Sequence, residues 1–167
     1  MEKLNYYEVE KLAIEYEQKY GGCSQCVVGS IKKVVGGITD DVFKAATGLA
    51  GGIGLTGNNC GALTGGVMLL STFIGREYDN FADPDKIRFK SFKLAKKLLE
   101  RFKEEYGSGI CYDIQKKIMG RSYNLWNKKD YNDFIAAGGH NDKCPLVCGK
   151  AAKWVVEILL GEGLIQQ

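Results

Sequence analysis

Six cysteines are the residues with chemistry to offer in this chain. Four of them stand where a helix should begin: Cys23 after Gly21-Gly22, Cys60 after Asn58-Asn59, Cys111 after the run Gly107 to Ile110, and Cys144 before Pro145. A helix start gathers free backbone N–H groups and the positive end of the helix dipole. That surrounding favours thiolate over thiol and predicts a lowered cysteine pKa. Cys26 and Cys148 follow Cys23 and Cys144 by one turn, on the same helical face. Two helices would each carry a terminal thiol and a second one further in, an arrangement suited to a redox dithiol.

Two chemistries fit this set. The first is dithiol/disulfide exchange over Cys23, Cys26, Cys60, Cys111, Cys144 and Cys148, with Cys23 and Cys144 as the reactive thiols. The second is metal binding. Cys23, Cys60, Cys111 and Cys144 supply the four thiolates that zinc or an iron–sulfur cluster takes. Their spacings match neither the close ferredoxin run nor a paired zinc knuckle. A bland alternative stands beside both: a non-catalytic all-α interaction module whose cysteines are buried small hydrophobes. Cys26 and Cys148, inside apolar helices, suit that reading best.

His140 is the single histidine, in a Gly-Gly-His-Asn-Asp loop shortly before Cys144. It could activate a thiol, bind a metal, or be a solvated loop residue. No Cys-x-x-Cys-His is present, which gives no support to covalent haem attachment. Gly52-Ile53-Gly54 lacks a preceding strand and the rest of a phosphate-binding fingerprint. Asp130 and Asp133 read as helix-start and surface groups, Trp126 and Trp154 as core or interface residues.

The elements that must position these thiols are helical. Val9, Leu12, Ala13 and Tyr16 recur at helical spacing over Tyr6 to Lys19, and Gly21-Gly22 ends that segment. Helices are predicted over Cys23 to Val35, from Thr39 as cap to about Leu49, and over Cys60 to Phe73. Asp83-Pro84 predicts the start of a helix running to Tyr106. Shorter helices follow over Cys111 to Met119 and Asp130 to Ala137, with Arg121 to Lys128 as loop, and Pro145 to Leu160 closes the chain. No strand pattern appears. The expectation is a single all-α domain over residues 1–167, a bundle of seven or eight helices. The helix from Cys60, with Gly61, Gly65 and Gly66, would be its centre, its glycines letting another backbone approach. That approach could lie within the chain or across a homodimer.

With 167 residues the chain can bury a core without disulfide staples. A net charge of +3, with lysines interleaved with glutamates, is a solvated surface and not a nucleic-acid footprint. The uncharged run Ala45 to Gly75 is broken by glycines and asparagines. It is expected to be a buried glycine loop leading into a core helix, not a membrane span. The first residues become charged at once, so no signal core is expected and the cytoplasm is the expected compartment. Thiols there are more often catalytic or metal-binding than structural.

The order of motifs carries a resemblance. Gly22-Cys23-Ser24-Gln25 comes first, then Cys60-Gly61-Ala62-Leu63-Thr64-Gly65, then Cys111 alone, then Cys144 with Ala151-Ala152 beyond it. This resembles the redox-active proteins with the pattern Cys … Gly-Cys-Ala-x-x-Gly … Cys … Cys, over most of the chain. The central motif here runs Cys-Gly-Ala where the family pattern has Gly-Cys-Ala. The resemblance implies a redox or electron-transfer role, with a redox partner protein, and places the pattern cysteines on Cys23, Cys60, Cys111 and Cys144.

Overall fold

In the computed structural model, which describes residues 6–166, eight α-helices follow one another. They are α1 (Tyr6–Tyr20), α2 (Cys23–Val35), α3 (Asp40–Ala45), α4 (Gly61–Ile74), α5 (Ile87–Tyr106), α6 (Cys111–Met119), α7 (Lys128–Ala136) and α8 (Cys144–Gly161). The described residues contain no strand, only one isolated antiparallel bridge between Asn59 and Ile110. The all-α expectation holds. None of the described helices is long and apolar enough to cross a membrane. The sequence expectation about the first five residues lies outside the described part of the chain.

Two helices share the centre. α8 buries Val147, Cys148, Ala151, Ala152, Val155, Val156, Ile158 and Leu159 and packs on α1, α2, α4 and α5. The glycine-rich α4 packs on α2, α5 and α8. Its glycines are used within the chain. A Cβ on Gly65 would stand 2.7 Å from the Ser24 carbonyl of α2. One on Gly66 would meet Leu98 of α5 at 2.7 Å and Val155 of α8 at 2.9 Å. Such approaches exclude any side chain and set how closely the four helices stack. Ser24 donates to the Ala46 carbonyl at 2.7 Å, so a buried hydroxyl ties the chain after α3 to α2. Trp154, half-buried, packs edge-on against the core residue Phe102 at 5.5 Å.

Three stretches differ from the sequence expectation. α5 begins at Ile87, not at Pro84, because Asp83 and Lys86 adopt left-handed backbone. Asp83 is nonetheless the cap. Its carboxylate accepts from the Ile87 N–H at 2.6 Å and the Arg88 N–H at 3.2 Å, reaching over an intervening turn. α3 stops at Ala45, and a short 3-10 turn covers Thr47–Leu49. The glycine loop that follows is not buried: Ile53 is exposed, and only Gly52 and Gly57 are fully enclosed. The loop lies over the ends of helices, where it forms one wall of a cavity.

Candidate functional site

That cavity, of about 180 Å³, is lined by Cys23, Cys60, Cys111, Cys144 and Cys148 together with Glu17, Gln115 and His140. The four helix-start cysteines therefore meet in one place. Hydrogen bonds between loops explain how. The Cys60 N–H donates to the Gly109 carbonyl at 2.9 Å, and the Cys111 N–H donates to the Asn58 carbonyl at 2.6 Å. The starts of α4 and α6 are thereby held side by side around the Asn59–Ile110 bridge. Cys23 reaches across from α2, and its sulfur nests on Gly61, where a Cβ would stand 2.5 Å away. The Cys148 thiol donates to the Cys23 carbonyl at 3.8 Å. Gln115, fully buried, donates to Cys111 Sγ at 3.7 Å and accepts from the Tyr123 N–H at 2.9 Å.

Cys26 is the exception. It lines a separate groove with Tyr16, Tyr20 and Phe43, and its thiol donates to the Gly21 carbonyl at 3.1 Å. The two extra cysteines thus part company: Cys148 joins the cavity and Cys26 packs behind it. All six are free thiols. Cys23 and Cys144 are partly exposed, while the other four are buried.

The helix-start argument predicted lowered thiol pKa values, and the structure reverses that sign. Burial pushes Cys60 and Cys111 up to about 12, helped by the charge of Cys111 on Cys60 and of Cys23 on Cys111. Burial also raises Cys23, Cys26, Cys144 and Cys148, with the Glu17 carboxylate the next cause for the last three. The helix starts do pull the other way: the N–H groups of Leu63 and Ala62 draw Cys60 down, and that of Ser24, with Gly51 of the glycine loop, draws Cys23 down. A helix terminus is worth at most ~2 kcal/mol. Removing an ion from water costs several kcal/mol. Burial wins.

Glu17 was not apparent from the helix and motif pattern. Its side chain is only 2% exposed; Oε1 lies 2.9 Å from His140 Nδ1, and Oε2 is buried with no hydrogen-bond partner. An unpaired buried polar atom costs ~1–3 kcal/mol. A signal was present in α1, where Val9, Ala13 and Glu17 recur every four residues on the buried face. A carboxylate on that face is out of place unless something uses it. His140 is neither a free loop residue nor fully enclosed. It sits in a π-helical turn, Gly139–Lys143, that leads directly into α8. Its ring stands edge-on to Phe134 at 5.1 Å and is about one-third exposed, at 32%.

Leu55 of the glycine loop and Leu125, Tyr131 and Phe134 also line the cavity. Trp126 fastens the two covering segments together, its indole N–H donating to the Gly54 carbonyl at 2.8 Å. The ring itself is exposed, so Trp126 is a surface clasp and not core. Asp130 and Asp133 bind Arg121 at the surface, at 3.1 and 3.0 Å, as expected of them. Among the described residues no group of three or more His, Cys, Asp or Glu side chains is arranged to hold a metal ion.

A helical bundle that gathers thiols from four helix starts into one cavity defines a thiol-centred class of protein. The family model described as "Putative redox-active protein (C_GCAxxG_C_C)" matches residues 6–158, and the chain belongs to that family. No curated protein and no solved structure matches it.

Proposed function

We propose that this protein is a cytoplasmic thiol–disulfide redox protein, working with a partner protein that carries a disulfide or a dithiol. The observation that carries this reading is the convergence of five cysteines on one cavity, with Cys23 and Cys144 the two residues that are partly exposed. Those two are the reacting pair. One sulfur, deprotonated, attacks a sulfur of the partner disulfide; a mixed S–S bond forms and the other partner sulfur leaves with the electron pair. The second cavity sulfur, deprotonated in turn, attacks the mixed bond and releases the partner's remaining sulfur. The cavity then holds one S–S bond, the partner has gained two electrons, and the two thiol protons end on the partner's sulfurs. Cys60, Cys111 and Cys148 line the same cavity.

Anaerobic protein treated with a small uncharged disulfide tests this. Intact mass should show the loss of two hydrogens, restored by a dithiol reductant, and peptide mapping should place the bond between Cys23 and Cys144. Serine at either position should abolish it. Zinc or iron present in stoichiometric amount in anaerobically purified protein, or no disulfide after oxidation, would overturn the reading.

A further inference from the structure

Resting on the redox reading above, we infer that Glu17, a buried carboxylate lining the thiol cavity, takes the proton of the attacking thiol, with His140 as its outlet to solvent. The geometry has three parts. Glu17 lines the cavity, and its Oε2 is buried with no hydrogen-bond partner. Glu17 Oε1 is held 2.9 Å from His140 Nδ1. His140 is the end of the pair that solvent touches. The groups facing the carboxylate are thiols and one imidazole: Cys23 and Cys26 from α2, Cys60 at the start of α4, Cys144 and Cys148 from α8, and His140 from the turn before α8. Among the described residues no lysine or arginine pairs with Glu17.

In the exchange step the attacking thiol gives its proton to Glu17 Oε2 as its sulfur bonds to the partner's sulfur. The partner sulfur that leaves takes a proton back, from Glu17 or from solvent through His140. The same cycle serves the second thiol. Protons and electrons balance, and Glu17 ends as it began. His140 positions the carboxylate and passes its proton outward. The free oxygen that is costly in the resting protein is thereby the one that works.

A buried carboxylate with no role in proton transfer makes an opposite prediction, which gives a decisive test. A bystander charge only holds the thiols protonated, so Glu17→Gln would relieve it and speed exchange at neutral pH. A base, once removed, slows exchange. The rate of reaction with an uncharged aromatic disulfide is measured by stopped flow from pH 6 to 10 for the wild type, Glu17→Gln, Glu17→Asp and His140→Gln. Glu17→Gln should be slower by at least about tenfold at pH 7, with the gap narrowing as hydroxide takes over at high pH. Glu17→Asp should recover part of the rate. His140→Gln, on a partly exposed turn, should slow exchange several-fold and carries the test alone if circular dichroism shows that Glu17→Gln does not fold. Equal or faster exchange in the folded variants overturns the inference. The redox reading is judged separately, by whether the wild type loses two hydrogens on oxidation.

Discussion

At Gly61 the missing Cβ decides where the Cys23 sulfur goes. The sulfur lies in the space an alanine methyl would take, and the Leu49 carbonyl and Ala50 close the other sides at 2.9 and 3.0 Å. Gly61→Ala should cost ~1–3 kcal/mol by overpacking and change the alkylation rate of Cys23 while leaving Cys111 alone. Denaturant unfolding and site-resolved labelling check both halves; unchanged Cys23 labelling would show that the sulfur has room elsewhere. This glycine is the point at which the chain departs from the family's Gly-Cys-Ala order, and the structure shows what occupies the place. How much could be read from the residues follows from their type. Cysteines before helical segments are visible in a sequence, and Cys23, Cys60, Cys111 and Cys144 do converge. What Gly61 was close to, and that Glu17 turns inward, depend on how α1, α2 and α4 stack. The sign of the thiol pKa shifts failed for the same reason: a helix start is a local property, whereas burial belongs to the packed molecule.

In two helices the boundaries set by glycine were legible to the residue. α2 over Cys23–Val35 and α6 over Cys111–Met119 begin and end as their flanking glycines and periodicity predict. The start of α5 was not, because left-handed backbone at Asp83 and Lys86 delays it by a turn past Pro84. The loop between Ala50 and Asn59 is the most consequential stretch without a legible structure. Its path is spelled by backbone hydrogen bonds, such as Gly54 N–H to the Gly48 carbonyl at 2.8 Å and Gly57 N–H to the Gly51 carbonyl at 3.0 Å. It also forces Ile53 and Leu55 into the left-handed region, at φ 62° and 64°. For a β-branched residue that conformation costs ~1–2 kcal/mol. Because Ile53 is about half exposed, at 47%, Ile53→Gly should stabilise the protein by ~0.5–1 kcal/mol after the added chain entropy. Destabilisation would mean that the exposed isoleucine makes a contact worth more than the strain. The clasp at the loop tip gives a second expectation at this scale. Trp126→Phe removes one hydrogen bond, worth ~1 kcal/mol, and should let a bulky maleimide reach Cys60 and Cys111 faster. Labelling at the wild-type rate would place the entry to the cavity elsewhere.

Over the whole molecule the raised thiols become a statement about stability against pH. Each has a folded pKa above its unfolded one, so between the two the native state keeps a proton that the unfolded chain has lost. Stability then falls as pH rises, because the slope follows protons bound in the unfolded state minus those bound in the native state, which is negative here. The window is set by Cys60 and Cys111, from the ordinary value of 9.0 to about 12. The contribution is fully present below pH 9 and is lost through that range. Each thiol supplies ~1.4 kcal/mol per pH unit inside the window, and an ordinary domain has ~5–15 kcal/mol to lose. Reduced, anaerobic protein should therefore unfold steeply in mild alkali, well before its helices would melt from lysine deprotonation alone. A Cys60→Ala, Cys111→Ala variant should start less stable at pH 7 because of the space left behind. Its decline between pH 9 and 11 should be shallower by about 3 kcal/mol per pH unit, the share of two thiols. Urea unfolding of both proteins across that range checks the difference in slope, which the lysines shared by the two proteins cannot mimic. Parallel slopes would mean that Cys60 and Cys111 ionise in the folded cavity as readily as in water, and that the cavity is wetter than its apolar walls imply.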